Sequence, residues 1–305
     1  MKVRKTVWNG KEGYLLQNES MEVFVNPADG MNIYQIDWEG RHMIDWEEAR
    51  YQRKATYGVP VLYPTPNRSE NLKIQAYGKQ YDARMHGLVK NLPFQVKTAE
   101  TDGQAALVTG VLEWNEEQPD FAMFPFPSTL SITVKALPDE VVWSYQVDNR
   151  GEGELSYGIA IHPYFSKREQ EVKISVPAAS VMEMTEEKIP TGKLIPAGET
   201  VPDLRTPVLV DGLSLDHVYT DCPAGAYAEI FYKDCKVKLE ATEEFGHIVV
   251  FTPDAPFFCV ENQSCSTDCF NLFAKGYARE SGLQAVHAGP VSYTHLRAHE
   301  TDQYL

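Results

Sequence analysis

Residues 156–165 read Ser-Tyr-Gly-Ile-Ala-Ile-His-Pro-Tyr-Phe, and this stretch decides how the rest of the chain is interpreted. Its pattern predicts a strand, because side chains on a strand alternate between the two faces. The first tyrosine and both isoleucines share one face and can fill a core. Gly158, Ala160 and His162 share the other, which predicts an open floor beside a titratable imidazole. Pro163 offers no N–H, so the strand should end at His162. A core histidine with a purely structural role is the alternative.

Outward from this stretch, short runs of β-forming residues alternate with turn-forming residues along the chain. About seventeen such runs, with turns every 8–12 residues or so, indicate an all-β sandwich or barrel. Residues 47–57 and 266–275 predict short helical segments. Residues 183–205 are polar and contain proline and glycine, which predicts a long loop. Because no linker or repeat interrupts the pattern, we predict one domain over residues 1–289.

The composition is that of an ordinary globular protein with an acidic balance. The 305 residues are 43% hydrophobic and 23% charged, and the formal net charge is −15. That charge argues against a nucleic-acid or anionic-membrane partner. The N-terminus has no apolar stretch typical of a signal peptide, and no run reaches the roughly 20 apolar residues of a membrane span. We therefore expect a cytoplasmic protein.

The five cysteines are expected to be reduced thiols, because none of them has the C-x-x-C spacing of a redox or zinc motif. Cys265 and Cys269 are four residues apart and could contribute two metal ligands. No histidine or cysteine pair nearby in the sequence completes such a site, so we expect no metal there.

The last residues differ from the rest of the chain. From Gly289 the sequence Gly-Pro-Val-Ser-Tyr-Thr-His-Leu-Arg-Ala-His-Glu-Thr leaves the strand pattern and resembles translated adaptor sequence. We predict that residues 290–305 are a non-native tail and that a natural final strand is missing. His295 and His299, with Glu300 beside them, mimic a metal motif and are discounted for that reason.

Several polar residues are candidates for binding a neutral polar ligand. Residues 57–68 contain three prolines, so this segment should be a rigid loop that ends by presenting Asn67 and Arg68. A surface loop whose arginine forms an ordinary ion pair explains the local sequence equally well. His86, before a glycine, and Asp216, after a run of β-forming residues, are further candidates.

Glu261 is the candidate general base. It follows four apolar residues, so its carboxyl group should be partly desolvated and its pKa raised above the ordinary value of about 4.3. A base with a raised pKa suits proton abstraction near neutral pH, and His162 could act as the matching acid. The alternative is a glutamate in water just beyond the strand end. The chain shows no Gly-rich phosphate loop and no nucleophilic serine or cysteine with a partner.

Five short motifs, in this order and spacing, together resemble the aldose 1-epimerase (galactose mutarotase-like) family. The resemblance extends from about residue 12 to residue 289. It implies an all-β fold, a β-supersandwich of mostly antiparallel sheets, with a monosaccharide bound in a groove and no cofactor or metal. The motifs are Pro66-Asn-Arg68, His86-Gly87, His162-Pro-Tyr-Phe165, Leu215-Asp-His-Val218 and Val260-Glu261.

The resemblance also implies a role for each candidate residue. Glu261 corresponds to the catalytic base and His162 to the catalytic acid of ring opening, which interconverts the α and β anomers of a free aldose. The residues implied to bind the substrate are Asn67, Arg68, His86 and Asp216.

Three alternatives stay open at this point. A hexose-6-phosphate 1-epimerase would need cations near the phosphate, for which Arg68 and Arg84 are candidates. A non-catalytic sugar-binding protein could stack Tyr63, Phe94 or Tyr164 on a pyranose ring. A glycoside hydrolase or lyase would use two carboxylates but leave the histidines unexplained. The sequence does not identify the sugar, the oligomeric state or the order of strands.

Overall fold

The computed structural model describes the backbone of residues 1–301 and the side chains of residues 1–288. About 49% of the chain is strand and 8% is helix, which confirms the predicted all-β class. Among the described residues, no helix combines the length and the apolar character needed to cross a membrane.

Twenty-four strands are present in the described residues, and most are short. In chain order they are β1 Lys2–Trp8, β2 Lys11–Gln17, β3 Met21–Asn26, β4 Asn32–Trp38, β5 Arg41–His42, β6 Val61–Leu62, β7 Lys73–Ala76, β8 Lys79–Asp82, β9 Gln95–Thr101, β10 Ala106–Trp114, β11 Ser128–Ala136, β12 Glu140–Tyr157, β13 Ala160–Ile161, β14 Tyr164–Ser166, β15 Lys173–Ser175, β16 Ser180–Met184, β17 Pro190–Pro196, β18 Val208–Leu209, β19 Asp216–Thr220, β20 Ala228–Phe231, β21 Lys236–Ala241, β22 His247–Phe251, β23 Phe257–Gln263 and β24 Gln284–Thr301. The helices are α1 Glu48–Gln52, α2 Cys269–Ala274 and α3 Ala278–Ser281, with single 3-10 turns at Pro27–Asp29, Glu70–Leu72 and Phe121–Met123.

The strands form three large sheets and one hairpin. Strands β1 to β5 form a five-stranded meander in chain order, and β7 pairs with β8. The nine-stranded sheet has the order β18-β15-β20-β21-β24-β12-β11-β10-β9. The eight-stranded sheet has the order β17-β16-β19-β22-β23-β13-β6, with β14 also paired to β23. Neighbouring strands such as β11 and β12, or β22 and β23, run antiparallel.

Alternating burial explains why the central strands form. In β11 and β12, Ile132 lies opposite Tyr145 and Val134 lies opposite Trp143, and all four side chains are buried. Directly opposed β-branched and aromatic side chains are favourable cross-strand pairs. Burying each such side chain contributes about 1.5–3 kcal/mol. The period-two pattern therefore fixes which face of the sheet meets the core.

The three large sheets share one hydrophobic core. Val23 of the five-stranded sheet, Ile132 of the nine-stranded sheet and Val250 of the eight-stranded sheet belong to a single cluster of buried side chains. This arrangement of packed antiparallel sheets is the β-supersandwich that the family resemblance implies.

The expected long loop over residues 183–205 is wrong in its first part. The end of β16 and all of β17 form a hairpin there, with Val181 opposite Ile195 and Met182 opposite Leu194. The proline and glycine content of this segment suggested a loop instead of a hairpin. Gly192 adopts a left-handed φ of 93° inside the second strand. The two helical segments are confirmed in shorter form, as α1 within residues 47–57 and α2 within residues 266–275.

The final strand, β24, pairs with β12 on one side and β21 on the other. The side chains of the predicted non-native tail, residues 290–305, lie outside the described residues, as does the backbone of residues 302–305. The expectation that the chain leaves the strand pattern from Gly289 is wrong for the backbone, because β24 continues to Thr301. Whether the tail is native stays a prediction. The discounted pair His295 and His299 falls in the same segment.

Candidate active site

Glu261 lies inside strand β23 and not beyond its end. It pairs with Val249 of β22, and its side chain is only 2% exposed. The period-two alternation places Gln263 on the same face, and the Gln263 Nε2 donates a hydrogen bond of 3.0 Å to the Glu261 Oε2. The alternative of a glutamate in water is therefore wrong, and the expected desolvation is present.

His162 faces Glu261 from the segment between β13 and β14. Its backbone N–H donates to the carbonyl of Pro60, which holds the residue against the proline-rich loop. The imidazole is buried, and its Nδ1 lies 3.2 Å from the Glu261 Oε1. The Nδ1 has no partner with hydrogen-bond geometry among the described residues. The structure thus brings the predicted base and the predicted acid together in a water-poor site.

The open floor predicted beside His162 is wrong. Ala160 is fully buried, and a Cβ added at Gly158 would lie 2.2 Å from the Cys265 Sγ and 2.9 Å from the Pro66 Cδ. The small residue at position 158 lets the proline-rich loop pack directly on the strand. The single strand predicted there is also wrong, because β12 ends at Tyr157 in the nine-stranded sheet and β13, Ala160–Ile161, belongs to the eight-stranded sheet. The space above Gly158 is filled by segments distant in sequence.

Asn67 and His86 meet at the end of the proline-rich loop. The His86 backbone N–H donates to the Asn67 carbonyl at 2.6 Å, and both residues adopt a positive φ. Gly87 follows with φ 76°, and a Cβ there would lie 2.3 Å from the Tyr63 carbonyl oxygen, so only glycine fits. In these two residues, the Asn67 Oδ1 and the His86 Nδ1 are buried and have no hydrogen-bond partner among the described residues.

Arg68 and Asp216 form an ion pair of 3.0 Å between Nη1 and Oδ2, and each side chain is 23% exposed. Asp216 begins β19, which lies next to β22 in the sheet, and the Arg68 carbonyl accepts a hydrogen bond from the Asp268 N–H. The ordinary ion pair considered for the arginine therefore exists. Its partner is another candidate residue, so the pair belongs to the site.

The six candidate residues form one connected group. The His86 ring contacts the His162 ring edge-on, with 5.2 Å between centroids. His162 contacts Glu261, and the charges of Asp216 and Arg68 both act on the Glu261 carboxyl. Sequence positions from 67 to 261 thus converge on the eight-stranded sheet, where Asp216 lies on β19 and Glu261 on β23.

Burial sets the charge of the site. Desolvation is the main cause that raises the pKa of Glu261 well above its ordinary 4.5, and the charge of Asp216 adds to this effect. Desolvation also holds the pKa of His162 well below 6.5, helped by His86 and Arg50, and it lowers the pKa of His86 to about 3. Both members of the central pair are therefore pushed toward their neutral forms, which favours one shared proton, held on Glu261.

Sequence reasoning missed two residues around the pair, Gln263 and Arg50, and gave Tyr164 a different role. Gln263 supports Glu261, and period two from Glu261 was the signal that could have identified it. Tyr164 and Arg50 lie behind His162. The Tyr164 ring, once a candidate to stack on a sugar, instead stacks on His162.

The other two rings proposed for sugar stacking are also enclosed. Tyr63 is fully buried against Phe124 and Tyr157, and Phe94 is 5% exposed. None of the three predicted aromatic platforms faces solvent, so that expectation is wrong.

One set of potential metal ligands lies in the described part of the chain. The donor atoms of His162, Cys259 and Glu261 all lie within 4.8 Å of one another. Burial raises the pKa values of the Cys259 thiol and the Glu261 carboxyl, which disfavours the anionic forms that ligate metals. Cys265 contacts Cys269 without a third ligand among the described residues, and none of the five cysteines, all described, forms a disulfide.

Comparison with known proteins identifies the family. A sequence model described as aldose 1-epimerase matches residues 14–284, so the chain belongs to the aldose 1-epimerase family. A galactose mutarotase-like protein from Clostridium acetobutylicum has a similar fold, with a TM-score of 0.87, 18% identity and 99% of each chain covered. A galactose 1-epimerase from Lactobacillus acidophilus NCFM has a TM-score of 0.78, 12% identity and 99% coverage of each chain. A protein from Synechocystis sp. PCC 6803 has a TM-score of 0.80, 18% identity and 96% coverage of each chain.

The family match supports a sugar epimerase or mutarotase role, with a monosaccharide as the ligand. The structural relatives are less than 25% identical, so they establish the fold alone.

Proposed function

We propose that this protein interconverts the α and β anomers of a free aldose by general acid–base catalysis. The observation that carries the proposal is the buried approach of the His162 Nδ1 to the Glu261 Oε1 at 3.2 Å. A carboxyl and an imidazole held this close, with opposite pKa shifts, suit the exchange of a proton with two oxygen atoms of one sugar ring.

In the proposed reaction Glu261 removes the proton from the anomeric hydroxyl while His162 protonates the ring oxygen. The bond between the anomeric carbon and the ring oxygen breaks, and the open-chain aldehyde forms. Rotation about the neighbouring carbon–carbon bond presents the other face of the carbonyl group. Closure with the roles of Glu261 and His162 reversed then gives the other anomer.

The proton inventory supports this cycle. Opening requires an anionic Glu261 and a cationic His162, and it leaves both neutral, with one proton on the pair throughout. Burial favours the neutral arrangement, so the carboxylate is a strong base and the imidazolium a strong acid whenever the charged arrangement forms. Because acid and base exchange roles in closure, the same two groups serve both directions.

Four polar residues are proposed to bind the sugar. The unpartnered Asn67 Oδ1 and His86 Nδ1 are buried atoms that a sugar hydroxyl could satisfy. Arg68 and Asp216 form a partly exposed ion pair, which can donate to and accept from vicinal hydroxyls. Holding the sugar in one orientation brings its two reacting oxygens to the acid–base pair, which itself accelerates the reaction.

The three alternatives have less support. Both arginines proposed for a 6-phosphate already bind carboxylates, Arg68 with Asp216 and Arg84 with Asp120. The aromatic platforms expected of a passive sugar-binding protein are buried. In a hydrolase the second carboxylate would be Asp216, yet the titratable side chain paired with Glu261 is the imidazole of His162.

Polarimetry tests the proposal directly. Freshly dissolved α-D-glucose and α-D-galactose, and their 6-phosphates, would be followed with purified protein at several pH values. We expect the optical rotation of at least one free sugar to reach equilibrium faster than without protein. Acceleration confined to the 6-phosphates would favour the phosphate-specific alternative. Tight binding of a sugar without acceleration would refute catalysis.

A further inference from the structure

The backbone around Arg68 is anchored on both sides by hydrogen bonds from distant segments. Before it, the His86 N–H donates to the Asn67 carbonyl at 2.6 Å. After it, the Asp268 N–H donates to the Arg68 carbonyl at 3.0 Å. The Glu70 N–H then donates to the Asp268 Oδ1 at 2.8 Å. Asp268 therefore bonds the chain at Arg68 and again two residues later, once through its backbone and once through its carboxylate.

Asp268 is itself held firmly at the start of helix α2. It is 2% exposed and adopts a left-handed φ of 59°. From the same helix, the Asn271 Nδ2 donates to the Asp268 Oδ1 at 2.5 Å and to the Lys73 carbonyl at 2.8 Å. The Asn271 Oδ1 accepts the Gln75 N–H at 2.9 Å. The two side chains therefore tie α2 to strand β7 and to the segment before it, which carries Arg68.

The segment that follows Glu70 is poorly suited to hold its own shape. Asn71 and Leu72 have left-handed φ values of 55° and 54°, and Leu72 is 55% exposed. A leucine disfavours this backbone conformation, and an exposed side chain gains little from burial in return. The Arg68 guanidinium depends on this backbone, because its one side-chain hydrogen bond shown among the described residues runs from Nη1 to the Asp216 Oδ2.

We propose that Asp268 is a positioning residue that fixes the backbone after Arg68, so that the guanidinium stands against Asp216 where the two bind the sugar. In this role Asp268 depends on the proposed function, in which Arg68 binds the sugar. Asp268 acts through Arg68 and needs no contact with the substrate. The position of the Arg68 side chain can be observed without any turnover.

The carboxylate of Asp268 is a strong acceptor for the Glu70 N–H. Hydrogen bonds to an ionised acceptor are stronger than those between neutral groups. Burial raises the pKa of Asp268 to about 6, so the side chain is anionic at about pH 7.5, where the rates would be measured. Asp268→Gly removes the acceptor but permits the φ of 59°, whereas Asp268→Asn keeps an oxygen in the same place.

Polarimetry at several sugar concentrations gives kcat and KM for each variant. Asp268→Gly should raise KM roughly tenfold with little change in kcat, because Arg68 binds the sugar equally in the ground state and the transition state. Asp268→Asn should stay within about threefold of the wild-type KM. Asp221→Gly is the matched control: Asp221 also has a left-handed φ, of 58°, but it binds Arg279 at the opposite end of β19 from Asp216. It should keep the wild-type KM.

Glu70→Pro removes the donor of the same hydrogen bond and leaves Asp268 intact. Ser69 is already extended, with φ −120° and ψ 145°, and Glu70 begins a 3-10 turn, so proline fits the backbone there. We expect the same rise in KM. Glu70→Ala is its control, because it removes only the 2.8 Å ion pair with Lys275 and keeps the N–H. This pair of variants tests the hydrogen bond even if Asp268→Gly does not fold.

A double-mutant cycle shows whether Asp268 acts through Arg68. In an Arg68→Met background the guanidinium is gone, so Asp268→Gly should raise KM no further. An equal rise in both backgrounds overturns the proposal, because Asp268 would then affect sugar binding by another route.

Spectra of isotope-labelled arginine report how freely each guanidinium rotates, and Arg68→Met assigns the Arg68 signals. We expect restricted rotation in the wild-type protein and free rotation in Asp268→Gly and Glu70→Pro. A freely rotating Arg68 in the wild-type protein, or wild-type spectra in both variants, overturns the proposal. Release of Arg68 by these variants in a protein that accelerates no sugar supports its positioning by Asp268 and refutes only the proposed function.

Discussion

Replacing Glu261 by glutamine removes the proposed base with little change in shape. The amide oxygen of glutamine can still accept the hydrogen bond that the Gln263 Nε2 donates at 3.0 Å. The amide cannot accept the anomeric proton. General acid–base groups typically contribute about 10²–10⁴-fold to a rate, or about 2.7–5.4 kcal/mol of barrier. We expect the polarimetric rate constant of Glu261→Gln to fall by that factor.

The stability of the same variant has a predictable dependence on pH. The folded-state pKa of Glu261 lies well above its ordinary value because of burial. Such a carboxyl lowers the free energy of unfolding as the pH rises from the ordinary value toward the folded-state value. The neutral amide has no such effect. Glu261→Gln should therefore be at least as stable as wild type at neutral pH in urea unfolding.

Glu229→Gln is the matched control. Glu229 pairs with Lys236 at 2.8 Å on the nine-stranded sheet, away from the site. It should keep the wild-type rate. A Glu261→Gln protein that stays folded and retains more than about a tenth of the wild-type rate would refute the role of Glu261, because no general base effect is that small.

Three further predictions concern single contacts. Gly158→Ala places a Cβ 2.2 Å from a buried cysteine sulfur, so in a urea titration it should lower the free energy of unfolding by about 1–3 kcal/mol. Gly246→Ala is the control: its Cβ would meet nothing within 4 Å, so it should be nearly neutral. Gln263→Leu removes the only side-chain hydrogen-bond donor shown to Glu261 among the described residues. This change should lower kcat roughly tenfold at a similar KM. An unchanged kcat would contradict the supporting role of Gln263. His247 is buried with a pKa near 4, below its ordinary 6.5, so its neutral form stabilises the fold above pH 6.5 and this contribution is lost as the pH falls toward 4. The contribution of His247 to the free energy of unfolding is about 3 kcal/mol. In urea unfolding, His247→Gln should therefore lose less stability than wild type between pH 6.5 and pH 4.

The strands were predictable where one face meets the core and the other does not. In β11 and β12 the alternation of large apolar and polar residues fixed both the strand type and the inward face. The hairpin of β16 and β17 was not predictable, because proline and glycine suggested a loop. Its pairing depends on β19, which lies beside β16 in the sheet and twenty or more residues away in sequence.

The residue types of the site were also visible in the sequence. Glu261 after an apolar run, His162 before proline and the Asn67–Arg68 pair after three prolines each carried a local chemical signal. The environments of these residues could not be predicted from the local sequence. The predicted floor at Gly158 is filled by Cys265 and Pro66, which approach from other parts of the chain.

The sequence by itself determined the all-β class, the faces of the main strands and the chemical identities of an acid, a base and four binding groups. Only the tertiary structure decided that the His162 Nδ1 faces Glu261 while its Nε2 faces Tyr164, and that Arg68 meets Asp216. The reason is physical. Strand periodicity arises from local backbone geometry, whereas burial, ion pairing and the orientation of a ring depend on contacts between segments far apart in the chain.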